Sequence, residues 1–268
     1  MKKKILAILI LSLFIFVVAA CAGGPPQPDT AYDIYTRAGD AFHSYESLAA
    51  DSFLTMTVLE DEEEGNRVEE TCFIKVINVS ETEAEVQWDI YFLYCGSPYD
   101  DFKSFYKDGV HYFDENYPER DPRKYSMKRS VEDILGQIAI RTEILSFPDT
   151  AVKRQEATQK DGGYELIFIL DGEALHGEVL YQLGYHTYLF TGGVGGDDYY
   201  WIFDDLEYIV FIDGQGDLKT TRLNYSVELV SWRIAMPICG SIIRDYLQLG
   251  DVTIDFPDDL DAYPSLYD

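Results

Sequence analysis

The stretch FKSFYKDGVHYFD, residues 102–114, carries the clearest folding signal in this chain. Two short runs rich in aromatic residues, 102–106 and 110–114, flank the dipeptide Asp108-Gly109. An Asp-Gly dipeptide between two such runs is the strongest short-range signal for a β-hairpin. The stretch therefore predicts two antiparallel strands joined by a tight turn.

The same alternation of strand-like runs and turns continues on both sides of this hairpin. Runs rich in β-branched and aromatic residues are separated by charged or glycine-containing segments, which is typical of antiparallel strands joined by turns. The other predicted strands are residues 53–59, 68–79, 84–95, 124–127, 151–159, 164–170, 201–212, 218–230 and 234–249.

Three segments have apolar residues at helical spacing instead. They are residues 31–48, a segment that opens at Ser130, and a shorter segment after Asp171. In the second of these, Ser130 and Asp133 have the spacing of a capping box, in which the serine side chain caps the start of the helix. Its apolar stripe continues to Leu145, and Pro148 is expected to end it.

Together these elements predict an α+β fold that is mainly β, with about ten or eleven strands and about three helices. Because hairpins join most of the strands, the sheet should be antiparallel, and the isolated helices argue against a parallel sheet of βαβ units. An antiparallel sheet of this size tends to curl. We therefore expect a large curled antiparallel sheet, a half-barrel, wrapped around the three helices.

The acidity of the chain excludes some partners. The formal net charge is −27, and such a field repels nucleic acid and anionic membrane surfaces. The acidic segment EDEEEGN, residues 60–66, lacks the alternating ligand spacing of a calcium loop and is interpreted as a solvated hairpin tip. The sequence thus predicts no metal site, no cofactor and no nucleic-acid partner.

Three cysteines, Cys72, Cys95 and Cys239, follow the N-terminal one, and an odd number at irregular spacing is not a disulfide framework. A single bridge between Cys72 and Cys95 is conceivable, because they fall in neighbouring predicted strands. A hairpin that turns near residue 81 would place Cys72 opposite about residue 90 instead. We therefore expect free, buried and inert thiols.

No arrangement of polar residues predicts catalysis. The histidines are interpreted as surface or hydrogen-bonded residues without ligand spacing: His43, His111, His176 and His186. The glycine-rich segment 192–196 lacks the lysine of a phosphate-binding loop and is interpreted as a flexible loop. Acidic pairs occur at residues 100–101, 197–198, 204–205 and 258–259. Among 48 acidic residues such pairs arise by chance, so an acidic extracellular hydrolase stays a minor alternative, and the chain is predicted not to be an enzyme.

The N-terminus reads MKKKILAILILSLFIFVVAACAGG, residues 1–24. A positive start, a short apolar run and a small-residue cleavage site describe a secretory signal peptide, and the run is shorter than the ~20 residues of a spanning helix. The ending Ala19-Ala20-Cys21 resembles the lipobox of bacterial lipoproteins. The resemblance implies cleavage between Ala20 and Cys21 and a diacylglycerol, with palmitate-type acyl chains, on Cys21. The alternatives are an ordinary signal peptide with a chance cysteine and an uncleaved anchor.

The predicted organisation follows from this N-terminus. Residues 1–20 are the lipoprotein signal peptide, and residues 21–28 are a lipidated tether rich in glycine and proline, which spaces the domain from its anchor. Residues 29–268 are expected to form a single domain, since this length is ample for one core.

The order of elements resembles the lipoprotein-carrier fold of LolA, LolB, LppX and LprG, and more closely uncharacterised lipoproteins of Gram-positive bacteria. The features that carry the resemblance are the lipobox, the helix followed by a long meander, and four segments, residues 106–112, 125–134, 213–219 and 254–258. In that family a half-barrel and its inner helices enclose an apolar cavity for acyl chains. The fold brings no catalytic residues, and the ligand-binding residues stay unassigned.

This resemblance implies a function and a location. We expect a membrane-anchored extracytoplasmic lipoprotein that binds a lipid or another apolar ligand in a half-barrel cavity. Its membrane contact would be the lipid on Cys21, at the extracellular face of the cell membrane of a Gram-positive host rather than in a periplasm. The alternative is a non-enzymatic structural or interaction lipoprotein whose acidic surface binds a cationic partner.

Overall fold

One antiparallel sheet of twelve strands dominates the described part of the chain. The computed structural model describes residues 29–60, 63–80, 82–116, 121–183, 199–231 and 235–266, and Ala31–Asp268 forms one compact unit. The strands are β1 (Ser47–Glu60), β2 (Glu63–Ser80), β3 (Glu83–Tyr94), β4 (Ser97–Lys107), β5 (Val110–Glu115), β6 (Arg123–Lys128), β7 (Val152–Lys160), β8 (Gly163–Leu170), β9 (Tyr199–Phe203), β10 (Leu206–Ile212), β11 (Leu218–Ser231) and β12 (Ala235–Leu249). The helices are α1 (Ala31–His43), α2 (Val131–Thr142) and α3 (His176–Leu183).

The strand order is β6-β5-β4-β3-β2-β1-β12-β11-β10-β8-β7, and β9 also pairs with β11. The sheet is open, with β6 and β7 at its edges, and every pairing between its strands is antiparallel. The predicted fold class, a mainly β half-barrel with three helices, is confirmed.

The hairpin predicted from residues 102–114 is present as β4 and β5. Lys107 pairs with Val110 at its end, and the backbone angle φ is 53° at Asp108 and 78° at Gly109. Positive φ at both central positions is the requirement of a type I′ turn, which Asp-Gly satisfies with little strain. Here the local residue types alone determine the structure.

Two predicted helices are shorter in the structure than the apolar stripes suggest. The first was expected to reach Leu48 but ends at His43, because Leu48 already pairs with Val76 of β2 and Leu249 of β12. The second begins as predicted, with the Ser130 hydroxyl accepting a hydrogen bond from the Asp133 amide. It ends at Thr142 rather than near Leu145, so the prediction of its end is wrong.

The predicted strand 201–212 is two strands, β9 and β10, and this split accounts for the twelfth strand. Both pair with β11, but the pairing is interrupted at Asp204 and Asp205. Gly172 packs against this interruption so closely that an added Cβ atom would lie 1.9 Å from the Asp204 carbonyl oxygen. The break therefore makes room for the chain that connects β8 to α3.

The three helices pack on one face of the sheet, which we call the inner face. α1 lies against β7, β8 and β11, α2 lies against β1 and β2, and α3 contacts α2 and β9. The main hydrophobic core fills the space between them. On the opposite, outer face, Leu260 and Tyr263 of the C-terminal segment pack with Phe105 of β4 in a second, smaller cluster.

Candidate ligand-binding site on the inner face of the sheet

Several residues that the sequence singled out lie outside the described residues. These are Ala20, Cys21, His186, the segment 192–196, Asp197 and Asp198. Cleavage before Cys21, its lipidation and the flexible loop therefore stay predictions.

Cys72, Cys95 and Cys239 are free, and their environments differ. Cys72 is buried on β2 opposite Ile90, the register that a turn near residue 81 predicts, and burial raises the pKa of its thiol. The expectation of burial is wrong for Cys95, which is exposed in the β3–β4 turn with φ 51°, and Cys239 is only partly buried. Its thiol donates a hydrogen bond to Asn66 Oδ1 at 3.2 Å.

The described histidines do not all match their interpretation as surface or hydrogen-bonded residues. His43 ends α1 and His176 begins α3, and both are exposed. His111 of β5 is 2% exposed, and no described residue forms a hydrogen bond with either of its ring nitrogens. For His111 the interpretation is wrong, because its position in the strand directs the ring to the inner face.

Four rings form a continuous row on the inner face of β3, β5 and β6, which we call the aromatic ladder. It consists of Trp88, His111, Phe113 and Tyr125. The ring centroids of Trp88 and His111 lie 4.7 Å apart, and those of His111 and Phe113 lie 3.7 Å apart. Phe113 and Tyr125 stack at 4.7 Å with planes 16° apart.

The strand register places the aromatic ladder on the same face as the helices. Glu70 of β2 binds Arg141 of α2, so its side chain points to the inner face. Directly paired residues of antiparallel strands share a face. Ile74 is separated from Glu70 by an even number of positions on the same strand, so both side chains point to the same face. Ile74 pairs with Trp88 of β3. From Trp88 the pairing continues through Ser104, Phe113 and Tyr125.

Two polar groups in this apolar row have no hydrogen-bond partner among the residues that the structure describes. They are the hydroxyl of Ser104, which is 0% exposed, and the imidazole of His111. Burial, assisted by the charge of Arg129, lowers the pKa of His111 to about 3. The ring is therefore neutral near pH 7 and offers one hydrogen-bond donor and one acceptor.

Two open depressions lie at the end of the β4–β5 hairpin, and their linings include Gly109 but no residue of the aromatic ladder. His111 pairs with Tyr106 on one side and Met127 on the other. Tyr106 lines a depression of about 440 Å³, and Met127 lines one of about 540 Å³. The Tyr106 hydroxyl donates a hydrogen bond to the Arg129 carbonyl oxygen, spanning β5 between the two depressions.

This arrangement has the composition of a small-molecule site. Such sites are lined mostly by apolar and aromatic side chains, with a few polar groups that orient the ligand. The aromatic ladder supplies the apolar wall, and Ser104 and His111 supply uncharged hydrogen-bonding groups. The neutral imidazole, buried without a carboxylate partner, gives no indication of acid–base chemistry.

The buried charges on the inner face have a structural role instead. Arg141 of α2 binds both carboxylate oxygens of Glu70, at 2.8 and 2.9 Å. Arg244 of β12, 1% exposed, donates to the carbonyl oxygens of Ile140 and Arg141 at 2.8 and 2.9 Å. These carbonyls belong to the last turn of α2, where a helix supplies no backbone N–H donors for its carbonyl oxygens. The guanidinium thus fixes this helix end to the sheet.

Sequence reasoning missed these inward polar residues, although a signal was present. Glu70 and Arg244 each occupy the apolar phase of an alternating strand; Arg244, for example, lies between the buried Ile242 and Tyr246. The strand of His111 has apolar residues in both phases and gives no such signal. A charged or polar residue in that phase must be paired or functional, because burying it alone is costly. A polar residue in the apolar phase therefore indicates Glu70 and Arg244 from the sequence, but not His111.

Within the described ranges, no group of three or more histidine, cysteine and acidic side chains could hold a metal ion. Asp205 and Asp171 share Lys153, and Asp259 binds Lys124. Among the helices of the described residues, none has the length and apolarity that crossing a membrane requires.

Comparison with known proteins gives no relative that identifies the chain. No family model and no curated protein matches it. Among solved structures, a beta-barrel-like protein of a domain of unknown function from Brucella abortus has 7% sequence identity and a TM-score of 0.21 over 76% of this chain and 100% of that one. The tesB protein of Mycobacterium avium has 9% identity and a TM-score of 0.13 over 81% and 84%. Likenesses this weak carry no argument about this protein.

Proposed function

We propose that this protein is a lipid-anchored extracytoplasmic lipoprotein that binds a lipid or another apolar ligand on the inner face of its half-barrel. The observation that supports binding is the aromatic ladder with its two buried polar groups, for which the described residues supply no hydrogen-bond partner. An unpartnered buried polar group is destabilising by about 1–3 kcal/mol. A ligand that supplied partners to both groups of the aromatic ladder would remove this cost.

The lipobox at Cys21 supports the membrane attachment. A single acyl chain holds a protein to a membrane weakly and reversibly, and a second chain makes the attachment stable. A diacylglycerol on Cys21 would provide both chains. The tether would then hold the acidic domain near the extracellular membrane surface. The negative charge of the domain disfavours its direct contact with anionic lipid.

Ligand binding is tested with a chain that begins at Ala22, made in a bacterial host. This chain contains the whole compact unit Ala31–Asp268 with its core. We expect its mass under native conditions to exceed its mass after denaturation, and the released material to extract into organic solvent. A bare mass under both conditions, even after incubation with phospholipid vesicles, would contradict ligand binding and favour salt-sensitive capture of a cationic partner.

Lipidation is tested in the full-length chain by feeding the host a palmitate analogue that can be labelled. We expect label in the wild-type protein and none in the Cys21→Ser variant, because the thiol of Cys21 is the proposed acylation site. The matched control is Cys95→Ser, which removes an exposed free thiol and should keep the label. Label that persists in Cys21→Ser would overturn the assignment.

A further inference from the structure

The two unpartnered groups of the aromatic ladder share one environment. Ser104 pairs with Trp88 on one side and Phe113 on the other, and these are the two rings whose centroids lie 4.7 and 3.7 Å from the His111 ring. The hydroxyl and the imidazole are therefore enclosed by the same two aromatic side chains. A ligand group that reaches one of them is close to the other.

The chemistry of this pair disfavours a charged ligand group. Ser104 is 0% and His111 2% exposed, so a charge bound here would lose most of its hydration. His111 is neutral near pH 7 and provides no compensating positive charge. A hydroxyl or an ester carbonyl loses far less hydration, and both Ser104 and the neutral imidazole can donate to its oxygen.

We propose that the apolar ligand carries one uncharged hydrogen-bonding group, a hydroxyl or an ester, which binds Ser104 and His111 while the apolar part lies along the aromatic ladder. This inference rests on the proposed function and deepens it. It assigns the ligand to the neutral lipids, such as acylglycerols, rather than to fatty acid anions. The two polar residues determine specificity, and the rings supply most of the contact area.

The test compares three probes of similar chain length on the delipidated chain from Ala22: 1-monooleoylglycerol, oleate and octadecene. The first has an uncharged ester and hydroxyls, the second a carboxylate, and the third no polar group. We expect calorimetric titration to show that monooleoylglycerol binds about tenfold more tightly than octadecene, since one or two net hydrogen bonds are worth that much. Oleate should bind more weakly than monooleoylglycerol.

Variants then assign the preference to the two residues. Ser104→Ala and His111→Phe should each bring the affinity for monooleoylglycerol to within about threefold of that for octadecene. Neither should lower the midpoint of thermal unfolding, because each removes a buried group that has no partner. Tyr263→Phe is the matched control: it removes an unpartnered buried hydroxyl from the outer face and should keep the preference.

The outcomes separate this inference from the function on which it rests. If the wild-type chain binds none of the three probes, both the proposed function and the inference fail. If it binds them with equal affinity, binding of apolar ligands stands and the neutral-group assignment is overturned. A preference that survives in both Ser104→Ala and His111→Phe also overturns it, and indicates that internal water satisfies the two groups.

Discussion

At the scale of single residues, Gly240 shows how closely the central strands approach one another. It lies on β12 between Met56 of β1 and Tyr225 of β11. The Tyr225 ring extends across it, and the hydroxyl donates a hydrogen bond to the Thr55 carbonyl oxygen at 2.7 Å. An added Cβ atom at Gly240 would lie 2.1 Å from that oxygen and 2.4 Å from the Tyr225 hydroxyl.

We predict that Gly240→Ala lowers the free energy of unfolding by about 1–3 kcal/mol or more, since overpacking here displaces backbone as well as a side chain. The control is Gly136→Ala, on an exposed position of α2 where an added Cβ atom contacts nothing. That change should stabilise the protein by up to about 1 kcal/mol. Urea unfolding measures both, and equal effects of the two changes would contradict the prediction.

The lowered pKa of the buried His111 ring predicts how the free energy of unfolding depends on pH. Its pKa is about 3 in the folded protein, below the ordinary value of 6.5, so between these values the unfolded chain binds a proton that the folded chain does not. Acidification across this range should therefore favour unfolding by about 1.4 kcal/mol per pH unit. His111→Phe removes this term, and its stability relative to wild type should rise as the pH falls from about 7 to about 4. Parallel unfolding free energies of the two proteins would contradict it.

Single residues also mark where prediction from the sequence stopped. The turn at Asp108-Gly109 was predictable because the two residues dictate their own backbone angles. The partner of Glu70 was not, because Arg141 lies 71 positions away on a helix whose docking no local pattern specifies. The candidate site lies on the consecutive strands β3 to β6, and no ligand-binding residue was assigned because local alternation does not show which face of these strands the helices cover.

At the scale of elements, the end of α2 is determined by the sheet beneath it. Arg244 and Tyr246 of β12 donate hydrogen bonds to the carbonyl oxygens of Ile140, Arg141 and Thr142, the last three residues of the helix. Side-chain donors at these positions satisfy the groups that a helix leaves unpaired. The apolar stripe that continues to Leu145 then becomes extended chain, held by the Tyr35 hydroxyl that donates to the Leu145 carbonyl oxygen.

We predict that Arg244→Met lowers the free energy of unfolding by roughly 3 kcal/mol or more, because several charge-assisted hydrogen bonds are lost and buried carbonyls are left without donors. Arg222→Met is the matched control, since Arg222 is exposed on the neighbouring strand β11. It should change stability by no more than about 0.5 kcal/mol. A similar loss in both variants, measured by urea unfolding, would argue against the role assigned to Arg244.

Helices and strands were predicted well where their own residues determine the backbone conformation, and poorly where contacts with neighbouring elements determine it. The strands of the first half follow from alternation and turns. The interruption between β9 and β10 at Asp204 and Asp205 could not be predicted in this way, because it depends on the close approach of Gly172 and the chain beside it. The ends of α1 and α2 were wrong for the same reason, as strand pairing and side-chain capping overrode the apolar periodicity.

At the scale of the whole molecule, the two edges of the open sheet are protected in different ways. An unprotected edge strand invites pairing with another chain. Edge strand β7 is mostly exposed and charged, with Lys153, Arg154 and Lys160. Edge strand β6 is covered by the C-terminal segment: the Ser126 amide donates to the Pro264 carbonyl oxygen, and the Leu266 amide donates to the Ser126 carbonyl oxygen.

We predict that a chain ending after Gly250 forms concentration-dependent oligomers, because it exposes the β6 edge and the Phe105 and Tyr112 side chains of the outer face. Analytical ultracentrifugation over a range of protein concentrations measures this. Tyr263→Phe, which keeps the covering ring, should behave as the wild-type chain does. A truncated chain whose sedimentation does not change with concentration would contradict the prediction.

The overall architecture was predictable because hairpins, helix periodicity and the size of the sheet constrain it together. The pairing of the first strand with the last was not predictable, since no turn joins β1 to β12. Their register, with Thr55 opposite Ser241, is fixed by side chains that meet in the folded protein, including a hydrogen bond between these two hydroxyls.

The pairing of β1 with β12 has a consequence for how the protein is made. These strands lie at the centre of the sheet, and Thr55 and Ser241, which join them, are 186 positions apart in the chain. Such non-local contacts slow folding, because a long loop must close before the contacts form. A growing chain cannot complete its sheet until residue 249 has been synthesised. The chain lacks its central strand pair before that point, so the decisive folding step comes at the end of synthesis.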